Sequence, residues 1–81
     1  DTYLDLIDMI KNDIMLALED AYLYATIYRE GFDYFVVQVE ADYIDEDEFI
    51  DIVEFEGGNI IDYKYYPDSQ YGDMLEATIR V

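Results

Sequence analysis

Eighty-one residues allow one domain with a modest core, and 21 Asp and Glu against four Lys and Arg give it a formal charge of −17. That balance excludes direct binding to nucleic acid or to an anionic membrane, because both require basic patches. The absence of His and Cys removes the usual general base, the thiol nucleophile, disulfides and thiolate metal sites.

Residues 2–19 have the spacing of an amphipathic helix. Tyr3, Ile7, Ile10, Ile14, Ala17 and Leu18 fall on one side, Asp5, Asp8, Asn12 and Glu19 on the other, and Thr2 with Asp5 suits the N-terminus. Residues 21–28, AYLYATIY, fit either a continuation of the helix to a Gly31 cap or a strand. The strand is preferred, because eight uncharged residues would make the helix apolar all round and REGFD offers a hairpin connection. Residues 34–43 alternate as a strand, with Phe35, Val37, Val39 and Ala41 on one face and Gln38, Glu40 and Asp42 on the other. DEDE at 45–48 then reads as a loop, followed by a strand over 49–56 whose imperfect alternation at Ile52 and Val53 suggests a bulge. Gly57, Gly58 and Asn59 supply a hairpin turn into a strand over 60–66. PDSQYG at 67–72 reads as a turn-rich loop, and a last strand runs from 74 to 81 with Leu75, Ala77, Ile79 and Val81 inward. The expected fold class is α+β: one N-terminal amphipathic helix packed on an antiparallel sheet of four or five strands, in a single domain spanning 1–81.

Ten Tyr, ten Ile and four Phe are not the composition of a disordered chain. No apolar run reaches the 18 or so residues of a membrane span, and no basic-then-apolar segment opens the chain, so the expected location is the cytoplasm. An Asp at position 1 suggests a removed tag, a processed start or a disordered beginning.

The densest chemistry lies at residues 42–56, DYIDEDEFIDIVEFE, where eight carboxylates are threaded between apolar side chains. No Lys or Arg occurs between Arg29 and Lys64. Carboxylate pairs are too numerous for any one to stand out as acid and base, and the only serine, Ser69, has no histidine to activate it, so no catalytic residue and no cofactor are expected. Asp45, Asp47 and Glu56 match three ligand positions of a calcium loop, but Phe49 and Ile50 occupy the third ligand position and the obligatory glycine. The calcium pattern therefore fails, leaving loose binding of hard cations by DEDE as the remaining metal chemistry. The bland reading of the ribbon is a solvated face that keeps a small protein soluble. The sharper reading is a binding surface, since a surface built for solubility mixes both signs whereas this one is single-signed and self-repelling. Large Ile and Tyr content argues against salt adaptation. Among the tyrosines, Tyr3 and Tyr22 are expected in or at the edge of the core, while Tyr63, Tyr65, Tyr66 and Tyr71 flank a loop and suggest an interface, although alternate positions of that strand must face inward.

A compact chain of this length has a radius of gyration of about 12 Å and a diameter of roughly 30 Å. Duplex DNA of that length carries on the order of 17 or 18 charges. In size, charge, lack of catalytic residues and helix-plus-sheet pattern, with DEDEFIDIVEFE as its densest part, the chain resembles the small acidic DNA-mimic inhibitors of phages and mobile elements, namely the anti-restriction proteins, the anti-CRISPR proteins and the uracil-DNA glycosylase inhibitor. The resemblance covers no aligned motif, so it implies a mechanism and carries over no residue. A non-enzymatic inhibitor would fill the basic groove of a nucleic-acid-binding protein or nuclease complex, in the host cytoplasm if phage-encoded, as a monomer or small homo-oligomer. The expected partner-binding residues are Asp42, Asp45, Glu46, Asp47, Glu48, Asp51, Glu54 and Glu56 with Tyr63, Tyr65, Tyr66 and Tyr71. The alternative is a structural or assembly subunit that oligomerises through a Tyr-rich sheet edge.

Overall fold

A computed structural model describes residues 2–69 and 72–81, with side chains at 6–67 and 72–81. The first helix, α1 (Thr2–Asp20), turns Ile14 and Leu18 fully inward, as the helical spacing predicts. Its end is closed by two hydrogen bonds, from the Tyr22 amide to the Glu19 carbonyl (2.9 Å) and from the Leu23 amide to the Leu18 carbonyl (2.8 Å). This is the Schellman arrangement, which places one residue in the left-handed region, and here Tyr22 takes it at φ 62° in place of the usual glycine. The reversal buries Leu23 and turns Tyr22 outward, so Tyr22 is 76% exposed and not a core residue as its apolar neighbours suggested. The side chain of Tyr3 lies outside the described residues.

The stretch after the helix resolves in favour of a strand, but only from Ala25 onward. β1 (Ala25–Glu30) and β2 (Tyr34–Ala41) form the expected antiparallel hairpin, with the Gly31 amide donating to the Tyr34 carbonyl (2.8 Å). β2 and the C-terminal strand β4 (Gly72–Arg80) pair along their whole lengths, and β4 also pairs with β3 (Asn59–Ser69). The sheet is antiparallel in the order β1-β2-β4-β3, so β4 is inserted beside β2 while β1 and β3 form the edges. Pro67, Asp68 and Ser69 extend β3 instead of joining the turn, which shortens the expected loop. Residues 70 and 71, including Tyr71, lie outside the described residues.

The sequence reading fails at residues 45–56. Glu46–Phe55 is a second helix, α2, in place of the expected loop and strand, and the Gly57-Gly58 pair ends that helix instead of turning a hairpin. The fold is thus α+β, with two helices on one face of a four-stranded antiparallel sheet. Ile14 and Leu18 of α1, Phe49 and Val53 of α2, and Phe35, Val37, Val39, Leu75, Ala77 and Ile79 of the sheet make one buried cluster. The opposite face of the sheet is bare. The molecule is elongated, with principal extents of 42 × 22 × 16 Å and a radius of gyration of 12.3 Å.

Candidate acidic interface

Local chemistry explains why the acidic segment coils. Asp45, in extended conformation (φ −88°, ψ 107°), is the N-cap, and its Oδ1 accepts hydrogen bonds from the amides of Asp47 (3.1 Å) and Glu48 (3.3 Å). Glu46, Asp47 and Glu48 then lie in the first turn, where the exposed amides and the dipole favour negative charge. At the far end, the Gly57 amide donates to the Glu54 carbonyl (3.1 Å) and the Gly58 amide to the Val53 carbonyl (2.9 Å), with Gly57 at φ 99°. Gly58 is buried so closely that a Cβ there would lie 2.8 Å from Ile79 and 2.9 Å from Ile14 and Val53. The two glycines therefore allow α2 to stop and the chain to dive between the helices and the sheet.

Four residues apart, Phe49 and Val53 fill the buried side of α2, flanked by half-buried Ile50 and Ile52. Asp47, Glu48, Asp51 and Glu54 occupy the solvent side together with Phe55, and Glu46 and Glu56 lie at the margin. Asp42 is exposed in the connection that precedes the helix. The structure thus gathers the eight sequence-predicted carboxylates on or next to one short helix, whereas the sequence reading placed them on a sheet.

Two of the four expected interface tyrosines hold this helix in place. The Tyr63 hydroxyl donates to Glu46 Oε1 (2.8 Å), and that hydrogen bond, followed by the carboxylate's charge, raises the Tyr63 pKa above its ordinary value. The Tyr65 hydroxyl donates to Asp73 Oδ2 (3.0 Å), and the same oxygen accepts from the Ile44 amide (3.0 Å). Loss of hydration and then the Asp73 hydrogen bond push Tyr65 up to about 12. Asp73 is buried, so it ties the connection before α2 to the hairpin of β3 and β4. It stood unremarked in the sequence, being one more acid after a turn-rich segment. Tyr66 pairs opposite Met74 on the bare face of the sheet, away from α2, and is 43% exposed.

Among the described residues, no ion pair involves a carboxylate of α2, and no three acids are gathered as metal ligands would be. Among the described residues, no helix is long and apolar enough to cross a membrane. Comparison with protein-family models, curated proteins and solved structures found no match.

Charge density tempers the likeness to a duplex drawn from the sequence. The long axis is 42 Å instead of roughly 30 Å, and duplex DNA of that length carries about 25 charges against the protein's net 17. Counting its two caps, the α2 segment 45–56 holds seven carboxylates and at helical rise spans about 18 Å, where a duplex carries about 11. Both ratios are about two-thirds. What distinguishes α2 is the absence of paired cations. All four basic residues lie elsewhere: Lys11 faces Glu30 (2.9 Å) and Asp8 (3.6 Å), Arg80 faces Asp33 (3.0 Å), Arg29 lies 5.9 Å from the centre of the Tyr34 ring, and Lys64 is opposite Glu76.

Proposed function

We propose that this protein is a non-enzymatic inhibitor that places α2 in the basic groove of a nucleic-acid-binding protein or nuclease complex, with Asp47, Glu48, Asp51 and Glu54 as the principal phosphate surrogates. The observation that carries the reading is the exposed face of α2, which presents these four carboxylates with no neighbouring cation on a helix anchored by Phe49, Val53 and the Tyr63 hydroxyl. A negative surface held by packing loses little entropy on binding and steers a basic partner towards it. Asp42, Asp45, Glu46 and Glu56 extend the field. Asp45 and Glu46 are also committed to cap and tether the helix.

Capture from a host lysate at low salt, eluted by a salt gradient, supplies the partner, and competition with DNA or RNA for that partner supplies the test. Affinity is expected to fall steeply with salt and to be lost when Asp47→Asn, Glu48→Gln, Asp51→Asn and Glu54→Gln are combined. A complex indifferent to salt, or one that survives the combined substitution, sinks the proposal.

A second reading rests on β3, an edge strand of 11 residues that exposes Ile61 (53%) and Tyr66 (43%) and is available for strand addition by another copy. Light scattering separates the two: a stable oligomer burying β3 favours assembly, and a salt-sensitive monomer favours the inhibitor.

A further inference from the structure

We infer that the groove between α1 and α2 is a docking site for a basic amphipathic helix. Phe55, in the last turn of α2, is 87% exposed, the highest value of any large hydrophobic side chain described. With Ala17 of α1 and Ile52 it lines an open depression of about 300 Å³. On α1, Leu6, Met9 and Leu16 are exposed by 46%, 54% and 60%, and at 100° per residue they fall with Ala17 inside an arc of about 100°. Singly exposed apolar residues are ordinary, but a stripe along one helix that runs on into a groove beside another is a binding surface.

Charge identifies the occupant. Asp51 and Glu56 line the groove and Asp13 interrupts the stripe, while the sole cation of α1, Lys11, is engaged with Glu30 and Asp8. A second copy of this chain would bring the same acids and another 17 net negative charges against them, which disfavours a self-complementary contact. An uncharged or acidic segment would leave the rim unpaired. A helix with apolar residues on one side and Lys or Arg flanking them satisfies both the groove and its rim, in the helix-in-groove mode of recognition. The groove shares Asp51 and Glu56 with the proposed nucleic-acid-mimicking surface but makes a different demand, an apolar side on the partner, since displacing a nucleic acid requires only a basic surface.

The test titrates the whole protein, at about 0.15 M salt, with fluorescent peptides of about 18 residues, long enough for a helix to form on binding. One peptide places Leu on one side and Lys on the other, one has the same composition with Leu scattered round the helix, and one replaces Lys by Glu. The first is expected to bind, to shift the amide signals of Ala17, Ile52 and Phe55, and to lose at least about tenfold in affinity to Phe55→Ser, as truncation of a central aromatic anchor does. Because Phe55 is exposed, that variant should keep the native melting temperature. Equal binding of the scattered peptide, binding of the Glu peptide, or indifference to Phe55→Ser would each overturn the inference, as would a dimer dissociated by Phe55→Ser. None of these results bears on competition with nucleic acid, so the inhibitor proposal fails or survives separately.

Discussion

The two sides of the sheet handle charge in opposite ways. On the bare side, strand alternation places Arg29, Lys64 and Arg80 among Glu40, Asp62 and Glu76, three cations with three carboxylates. Lys64 lies across from Glu76, which also accepts from Gln38 (3.3 Å), and Arg80 reaches Asp33. On the helical side, α2 has no cation, even in its last turn, where the helix dipole favours one. Among the described residues, the excess of negative charge is therefore concentrated on the helical side of the sheet. Such an arrangement would orient a basic partner, which a uniformly acidic surface would not do.

The largest expected contrast between the sides is in packing. Phe49→Ala removes a fully buried ring that seats α2 and is expected to cost about 3–5 kcal/mol, a large part of the total for a domain of this size. Val36, buried on the bare side under neighbouring polar side chains, is expected to cost about 1.5 kcal/mol when changed to Ala. Urea denaturation of the two variants measures the difference, and equal losses would mean that the bare face is as much a core as the helical one.

Next comes the anchor between the sides. Asp73→Ala leaves the buried Ile44 amide without its acceptor and is expected to cost about 1–3 kcal/mol in urea melts. A loss confined to alkaline pH is expected from the tyrosines. The folded-state pKa of Tyr65, about 12, lies above its ordinary 10.0, so the neutral phenol stabilises the fold fully below about pH 10 and that stabilisation is lost as pH rises through about 12. Tyr63 is raised as well, through Glu46, and Lys11 through its hydrogen bond to Glu30, so both add to the alkaline decline. Tyr65→Phe should flatten the decline relative to wild type in a stability-versus-pH series. An unchanged slope would mean that the anchor contributes nothing through its proton. The smallest change expected is a gain. Tyr22→Gly relieves a left-handed residue that buries little and should raise stability by about 0.5–1 kcal/mol by differential melting.

The sequence made α1 and the inward faces of β2 and β4 legible, because each has an unbroken period of 3.6 or 2, whereas β1, whose register shifts between Ile27 and Arg29, was signalled by its uncharged residues and the REGFD connection and not by a period. At 45–56 two periods competed. Ile50, Ile52 and Val53 favour strands by their branching, and Glu54, Phe55 and Glu56 alternate. The helix won because Asp45 caps it, Phe49 and Val53 meet the core one turn apart, and Gly57 supplies the stop. Asp45 with Glu48 three residues on carries the helix-start signal within this segment. In the candidate site, the acids were evident from composition, whereas the pairing of Tyr63 with Glu46 and of Tyr65 with Asp73 depends on strand register, which no local pattern encodes. Phe55 lay in the segment expected as a strand, and the helical period turns it outward.

The Ile44 amide sits outside any helix or strand, yet it is buried and donates to a buried carboxylate. Ordinarily a connecting loop exchanges its amide hydrogens with solvent almost at once. Here that proton is expected to leave only when the Ile44–Asp73 contact opens, so its exchange rate in deuterated water gauges how often the connection before α2 parts from the β3–β4 hairpin.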